Sequence, residues 1–200
     1  MQYWEEIITN NIGYTIVLTG LGGQGLIKLL QILGDCLTKK GYKVISSEKH
    51  GLSQRGGTVT CFLRFGENIG APIPIKGSAD MIIATEKACI LEMLDFLKPD
   101  SNSKLIIANY EKKPIENDYP SEENILNVLK NVSKNVNLVP VMPIVSKYSN
   151  LKVINIILLA YITRYLPLSE KNLRESLRKH FTGPNLELNQ KVFTDGLNLE

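Results

Sequence analysis

The chain has 200 residues, of which 44% are hydrophobic and 22% charged, with 23 Lys and Arg residues against 20 Asp and Glu residues. These proportions are typical of a globular domain and exclude collagen-like, coiled-coil and disordered chains. The net charge of +3 and the absence of long like-charged runs argue against a nucleic-acid-binding protein. The longest apolar stretch, around residues 155–162, is shorter than the roughly 18 residues that a membrane span needs.

The cysteine content and the first residues indicate a cellular compartment. Residues 1–11 lack the basic and apolar regions of a secretory signal. Cys36, Cys61 and Cys89 form no C-x-x-C motif, which argues against a disulfide framework and against a zinc or iron–sulfur site on this chain alone. We expect each cysteine to be a small buried residue and the protein to be cytoplasmic.

The first structural unit that the pattern predicts has the order strand, helix, strand. Residues 15–19 are a β-branched apolar run, typical of a buried strand. Glycines follow, and leucines then recur at helical spacing over 26–37 until Gly41 ends the helix. A second apolar run, 42–45, completes a βαβ unit, which predicts a parallel sheet with a right-handed crossover.

The remaining pattern alternates strands with helices and ends in helices alone. The run 151–166 is apolar on nearly all sides, which predicts a buried helix. Other strands are predicted at 59–65, 79–84, 104–108 and 136–141. Thr85, Ser121 and Ser169 are predicted to cap helices that run to about 97, 133 and 180, and a last helix is predicted from Pro184 or Asn185 to near Gly196.

These elements predict an α/β fold: a Rossmann-like, doubly wound, mainly parallel sheet with C-terminal helices packed on it. We expect one domain over residues 1–200. Within it, residues 14–145 would form the sheet part and residues 150–198 the helical part.

The glycine-rich stretch is the first candidate site. Gly20, Gly22 and Gly25 fit G-x-G-x-x-G between a strand and a helix, where glycines let the backbone approach a phosphate. Glu48 would lie at the end of the second strand, where a ribose-binding acid is found in dinucleotide-binding proteins. The motif alone therefore suggests a nicotinamide or flavin nucleotide, but it also fits a tight turn that binds nothing.

The second candidate site is the polar segment 47–58. In this segment Arg55 precedes Gly56 and Gly57, which places a planar bidentate donor beside a backbone that can bend around a carboxylate or phosphate. His50 could exchange protons near neutral pH. The alternative is a solvated turn in which Glu48 pairs weakly with Lys49 or Arg55.

No independent catalytic motif is visible. A G-x-S-x-G elbow, a Walker lysine and an H-E-x-x-H motif are all absent from the sequence. Asp80 and Glu86 flank a predicted buried strand. We expect Asp80 to accept hydrogen bonds in a turn and Glu86 to interact with a helix dipole, rather than the two to form an acid–base pair.

The two candidate segments together resemble a known family. Residues 20–25, residues 47–57 and the Arg-Phe-Gly at 64–66 are similar to the gamma-type subunit of 2-oxoacid:ferredoxin oxidoreductases, and most similar to the small beta subunit of indolepyruvate ferredoxin oxidoreductase. Asn155 within the buried helix, residues 166–170 and Asn185-Leu186 also resemble the C-terminal helices of this family. The resemblance covers nearly the whole chain, although Lys28 and Lys49 depart from the usual pattern.

The resemblance implies a subunit that is not catalytic alone. The complete enzyme would oxidise indolepyruvate or a related 2-oxoacid to an acyl-CoA and CO2, with coenzyme A as co-substrate and electrons passing to ferredoxin. Thiamine diphosphate, magnesium and iron–sulfur clusters would lie on a large catalytic partner subunit, with no cofactor on this chain. We expect a hetero-oligomer with no nucleic-acid or membrane partner.

The resemblance also implies roles for the two loops. Gly22, Gly23, Gln24 and Gly25 would face a phosphate or the partner, and the Ser53–Gly57 loop would face the active site or a subunit interface. No residue is expected to act covalently or as an acid or base. The full set of predicted ligand or interface residues is Gly20, Gly22, Gly23, Gln24, Gly25, Glu48, His50, Ser53, Gln54, Arg55, Gly56 and Gly57.

Two other functions are compatible with the same pattern. The first is a stand-alone NAD(P)- or flavin-dependent oxidoreductase that uses Gly20, Gly22, Gly25 and Glu48. The second is a scaffold protein of the same fold whose partner lacks thiamine diphosphate and iron.

Overall fold

The computed structural model describes residues 13–50, 57–99, 102–113 and 119–199. Their strands form one six-stranded sheet in the order β2-β3-β1-β4-β5-β6. The strands are β1 (Tyr14–Leu21), β2 (Val44–His50), β3 (Thr58–Phe65), β4 (Met81–Ala84), β5 (Lys104–Ala108) and β6 (Val136–Val139).

Helices precede or follow most of these strands and make up the C-terminal part. A run of 3₁₀ turns covers Ala88–Phe96, and short 3₁₀ turns at Leu151–Val153 and Thr163–Tyr165 flank the buried helix near the end of the chain. The α-helices are α1 (Leu26–Lys39), α2 (Glu122–Val132), α3 (Met142–Tyr148), α4 (Ile154–Ile162), α5 (Glu170–His180) and α6 (Gly183–Leu197).

The sheet is mixed, because β3 runs against its neighbours. β1, β4, β5 and β6 are mutually parallel, whereas β3 pairs antiparallel with both β1 and β2. The connection from β2 to β3 is short, and a short connection joins only antiparallel neighbours. β2 therefore has the direction of β1, as the predicted βαβ unit requires, but β3 lies between them. The predicted α/β class with a mainly parallel sheet is confirmed.

Both faces of the sheet are covered. On β1, Ile16 and Leu18 belong to one apolar cluster and Val17 to another, because successive strand residues point to opposite faces. The first cluster includes α1 and the C-terminal helices α4, α5 and α6. The second contains α2 and the 3₁₀ run Ala88–Phe96. This arrangement is the doubly wound layering that the sequence predicts, with the C-terminal helices packed on the α1 face.

The predicted helix caps are confirmed at two positions and wrong at a third. Ser121 and Ser169 each cap a helix by accepting a hydrogen bond from the backbone N–H three residues on. Thr85 does not cap the segment that follows it. The carboxylate of Glu86 instead accepts hydrogen bonds from the backbone N–H groups of Ala88 and Cys89. Glu86 thus has its predicted helix-dipole role, and the segment it caps is 3₁₀ rather than α-helical.

Two further expectations concern buried groups. Cys36, Cys61 and Cys89 are free and buried, as predicted, and burial raises the pKa of all three thiols, that of Cys61 to about 12. Such thiols stay protonated and unreactive at neutral pH. Asp80 accepts hydrogen bonds, as predicted, but from distant residues rather than within a turn: from the Thr15 backbone N–H and from the Lys98 ammonium.

The C-terminal helices pack closely on one another and on α1. Every residue of α4 is buried, which confirms the buried helix predicted there. The sequence pattern does not predict helix α3, because Pro140 and Pro143 indicate only the boundary of the last predicted strand. In the described ranges no helix is both long enough and apolar enough to cross a membrane.

Two glycines in helices test how tightly these layers pack. A Cβ atom on Gly196 of α6 would lie 2.8 Å from the Cβ of Ala160 and 3.2 Å from the backbone oxygen of Ile157. Gly196→Ala should therefore separate α4 from α6 and lower the free energy of unfolding by about 1–3 kcal/mol. Chemical denaturation measures this change.

Gly34→Ala is the matched control for this prediction. Gly34 lies within α1, and a Cβ there would make only ordinary contacts, at 3.9 Å or more. The substitution should raise the free energy of unfolding by about 0.5–1 kcal/mol, since alanine favours a helix more than glycine does. Equal effects of the two substitutions would contradict this account of the α4–α6 contact.

Candidate functional site

The candidate site lies where parallel strands β1 and β4 end side by side. Thr19 of β1 pairs with Ala84 of β4, so Gly20 and Thr85 follow at the same edge of the sheet. The carboxyl ends of parallel strands are where ligands bind in open α/β sheets. We call residues Gly20–Gly25 the glycine turn.

Gln24 holds the glycine turn to the end of β4. Its Oε1 accepts hydrogen bonds from the backbone N–H of Leu21 at 2.8 Å and from the hydroxyl of Thr85 at 2.6 Å. Its Nε2 lies 3.5 Å from the carbonyl oxygen of Thr85. The Gln24 side chain is therefore directed into the turn, and any ligand-facing role of the turn would fall to its backbone. Thr85, which the sequence suggested as a helix cap, has its hydroxyl committed to this contact.

Three glycines of the turn are required by its geometry. A Cβ atom on Gly20 would overlap the Thr85 hydroxyl. Gly23 and Gly25 have φ angles of +89° and +76°, in the left-handed region that disfavours other residues. At Gly25 a Cβ would also overlap the side-chain amide of Asn155 in α4. The turn therefore brings bare backbone to the surface of the site.

The second predicted loop reaches the glycine turn through its last residue. The backbone N–H of Gly22 donates to the carbonyl oxygen of Gly57, at 3.0 Å. His50 ends β2, where it pairs with Val59 of β3. The other members of this predicted loop, Ser53, Gln54, Arg55 and Gly56, lie outside the described residues, and their roles stay predictions.

Glu48 does not lie at the glycine turn. It is exposed on the edge strand β2 and pairs with Cys61 of β3. Because β3 separates β2 from β1, Glu48 is two strand spacings, about 10 Å, from the strand that carries the turn. In dinucleotide-binding proteins the ribose-binding acid ends the second strand of the βαβ unit, and that strand lies directly beside the first. Here β3 lies between the two, so the arrangement does not favour the dinucleotide interpretation.

Helix α1 begins directly after Gly25 and lacks the usual side-chain cap at its N-terminus. No side chain accepts a hydrogen bond from its first backbone N–H groups, and its first turn contains no acidic residue. The N-terminus of a helix has a partial positive charge and free N–H donors, which together attract anions. Lys28 adds a full positive charge to the same turn of the helix.

A cavity of about 330 Å³ opens at this helix N-terminus, between α1 and the C-terminal helices. Gly23, Gly25, Val153, Phe181 and Leu188 line part of it. The charged and amide side chains that line it are those of Lys28, Lys152, Asn150, Asn155, Asn185 and Asn189.

A smaller cavity of about 160 Å³ shares Gly23 and Lys152 with the first and lies on the Gln24 side of the turn. Tyr110 and Lys112 line it. Three lysines from separate parts of the chain thus surround the glycine turn, and no Asp or Glu is among the described residues that line either cavity. The site has the charge of an anion-binding site.

Lys112 is held near the turn by a buried carboxylate. Glu86 accepts hydrogen bonds from the backbone N–H of Lys112, at 3.3 Å, and from the Tyr119 hydroxyl. Burial, and then this hydrogen bond, raise the pKa of Tyr119, which therefore stays a donor at neutral pH. Lys87, which follows Glu86 in the chain, is also buried and forms ion pairs with Glu111 and Glu122. This buried network fixes the segment that carries Tyr110 and Lys112.

The sequence did not indicate two residues that shape the site. Thr85 and Asn155 fill the space that side chains would need at Gly20 and Gly25. Asn155 was noted only as part of a resemblance, although an amide within an all-apolar helix is a signal that could have singled it out. In the described part of the chain, no group of three or more His, Cys, Asp or Glu side chains could hold a metal ion.

Sequence comparison finds relatives along nearly the whole chain. The profile of the pyruvate ferredoxin/flavodoxin oxidoreductase family matches residues 15–199. Indolepyruvate oxidoreductase subunit IorB of Methanothermobacter thermautotrophicus is 32% identical, in an alignment that covers 92% of this chain and 96% of that protein. The common subunit gamma of the pyruvate/ketoisovalerate oxidoreductases of Thermococcus kodakarensis is 26% identical, with 90% and 92% covered.

Solved structures share the fold. Pyruvate oxidoreductase subunit PORC of Thermotoga maritima superposes with a TM-score of 0.69 at 14% identity, covering 94% of this chain and 96% of that one. A 2-oxoglutarate:ferredoxin oxidoreductase of Magnetococcus marinus, with 2-oxoglutarate, coenzyme A and succinyl-CoA bound, gives 0.69 at 17% identity. The match covers 92% of this chain but only 30% of that longer chain.

Gly23 and Gly25 allow a direct test of the glycine turn. Both have positive φ angles, but a Cβ on Gly23 would meet nothing within 4 Å, whereas one on Gly25 would overlap Asn155. Gly23→Ala should cost about 1–2 kcal/mol of stability through backbone strain alone. Gly25→Ala should cost about 1–3 kcal/mol more, because Asn155 must also move.

Denaturant titration of the two variants measures the difference, and Gly23→Ala is the matched control for backbone strain. If both variants were destabilised equally, Asn155 would not limit the space at Gly25.

Proposed function

Because the chain belongs to the pyruvate ferredoxin/flavodoxin oxidoreductase family, we propose that it is the small subunit of a thiamine-diphosphate-dependent 2-oxoacid:ferredoxin oxidoreductase that acts on indolepyruvate or a related 2-oxoacid. The resemblance to gamma-type subunits noted from the sequence is confirmed. Support for the substrate comes from four relatives that are named indolepyruvate oxidoreductase subunits.

The proposal divides the reaction between two subunits. The large partner subunit would hold thiamine diphosphate, magnesium and the iron–sulfur clusters, where the 2-oxoacid loses CO2 and electrons pass on to ferredoxin. This chain would act in the cytoplasm within a hetero-oligomer and complete the site at which the acyl group meets its acceptor. The loop from Ser53 to Gly57 would face that site or the subunit interface, as the resemblance implies.

The observation that carries a role for this chain is the anion-binding character of the glycine turn. The start of α1, which no side chain caps, borders a cavity lined by Lys28 and Lys152 and by no described acidic residue. Phosphates bind well to such a combination of helix N-terminus and cations. We therefore assign the cavity to a phosphate-bearing part of coenzyme A, the acyl acceptor. The Magnetococcus marinus enzyme, which shares this fold over part of its length, has coenzyme A bound.

Other functions are less well supported. In the dinucleotide alternative Glu48 would bind the ribose, but β3 lies between β1 and Glu48. Glu86, which follows the neighbouring strand β4, is already engaged with backbone N–H groups and the Tyr119 hydroxyl. A scaffold protein without an enzyme would require that the chain had lost the function of its relatives, and no feature of the described residues indicates such a loss.

Purification of this chain from its native cells under anaerobic conditions tests the assembly. We expect a large subunit to copurify, with iron and thiamine diphosphate, and the complex to reduce a dye in the presence of a 2-oxoacid. Arg55→Ala should lower turnover or assembly, since an arginine followed by two glycines suits an interface carboxylate or phosphate. The circular dichroism of the isolated variant should match that of the native chain.

Recovery of the chain alone, or with a partner free of iron, would contradict the proposed function. An unfolded Arg55→Ala chain would contradict an interface role for Arg55.

The coenzyme A site is tested by removing its cations. Lys28→Gln and Lys152→Gln should each raise the KM for coenzyme A in the assembled enzyme by about tenfold, because each removes a charge that faces the phosphate. The effect should diminish at high ionic strength.

Lys130→Gln is the control, since this exposed lysine of α2 belongs to the opposite face of the sheet. The assignment is wrong if the cavity variants and the control change the KM equally.

A further inference from the structure

Asn155 is an unusual residue for its position. It lies in α4, all of whose residues are buried, and it carries the only amide side chain among them. It is 4% exposed. Burial of an amide among apolar side chains costs free energy unless its polar atoms find partners.

The nitrogen of the amide has a partner in the glycine turn. Nδ2 donates a hydrogen bond to the carbonyl oxygen of Gly25, at 3.0 Å, across 130 positions of the sequence. The same carbonyl accepts the first backbone hydrogen bond of α1, from Leu29. This contact holds the point at which the turn becomes a helix.

The oxygen of the amide is buried and has no hydrogen-bond partner among the described residues. Native proteins satisfy nearly all buried polar atoms, and exceptions often have a role in function. An amide oxygen only accepts hydrogen bonds, so the missing partner is a donor. Asn155 lines the cavity at the start of α1, and a ligand in that cavity can supply such a donor.

We propose that Asn155 determines ligand specificity in this cavity by accepting a hydrogen bond from an N–H group of the bound coenzyme A while its Nδ2 holds the glycine turn. The proposal rests on the function proposed above, which assigns the cavity to coenzyme A. Coenzyme A carries N–H donors on both sides of its phosphates, in the adenine amine and in the pantetheine amides. The lysines and the helix N-terminus would then bind the charge, and Asn155 would distinguish the coenzyme from simple anions.

The experiment compares coenzyme A with sulfate in the assembled enzyme. Sulfate carries charge for the lysines but has no hydrogen to donate, and its inhibition constant against coenzyme A reports the anion site alone. Asn155→Ala should raise the KM for coenzyme A by about tenfold, the effect of one hydrogen bond to a buried group. The sulfate constant should change by less than about twofold.

Three further variants complete the experiment. Asn155→Asp keeps an acceptor at the same place. The ratio of the KM for coenzyme A to the inhibition constant of sulfate should therefore stay near that of the native enzyme, even if coenzyme A and sulfate both bind more weakly. Asn155→Leu keeps the branched shape of the side chain without an acceptor and replaces Asn155→Ala if that variant does not assemble. Asn185→Ala removes an exposed amide that lines the same cavity, and both constants should change by the same small factor.

The outcomes separate this inference from the function on which it rests. If Asn155→Ala, or Asn155→Leu in its place, changes both constants by the same factor, Asn155 acts only through the glycine turn and the specificity role is wrong. If Lys28→Gln leaves the KM for coenzyme A unchanged, the cavity does not bind the coenzyme, and the proposed site itself fails.

Discussion

The site depends on a steric constraint at the edge of the sheet, where side chains from distant segments occupy the space next to two glycines. The Thr85 hydroxyl packs against Gly20, and the Asn155 amide packs against Gly25. These contacts join β4 and α4 to the glycine turn, so that sheet and C-terminal helices meet at one point. Any larger residue at either glycine would separate these layers.

The same constraint gives the site its charge. Because the Gln24 side chain is hydrogen-bonded within the turn, the turn presents mainly backbone to the cavities. Lys28 comes from α1, Lys152 from the 3₁₀ turn before α4, and Lys112 from the segment held by buried Glu86. Three independent parts of the chain are thus fixed around one uncapped helix start, an arrangement suited to a phosphate. The proposed binding of the acyl acceptor would use this surface.

The mixed sheet separates this protein from a dinucleotide-binding domain with the same glycine motif. The insertion of β3 next to β1 displaces β2, and with it Glu48, from the neighbourhood of the turn. The same arrangement brings Gly57, just before β3, to the turn, where its carbonyl oxygen accepts a hydrogen bond from the Gly22 N–H. The second predicted loop therefore ends beside the first.

The sequence by itself determined the local features. Strand positions follow from apolar runs. The caps at Ser121 and Ser169 follow from the sequence because each hydroxyl binds a backbone N–H only three residues further on, within one turn of helix. The paired glycine and arginine motifs also identified the family.

Only the tertiary structure decided the position of β3, the commitment of Thr85 to Gln24, and the contact of Asn155 with Gly25. The last two contacts join residues that are 61 and 130 positions apart. Strand order and such distant contacts arise when whole layers pack together, and no local pattern of residue types specifies which of them will meet.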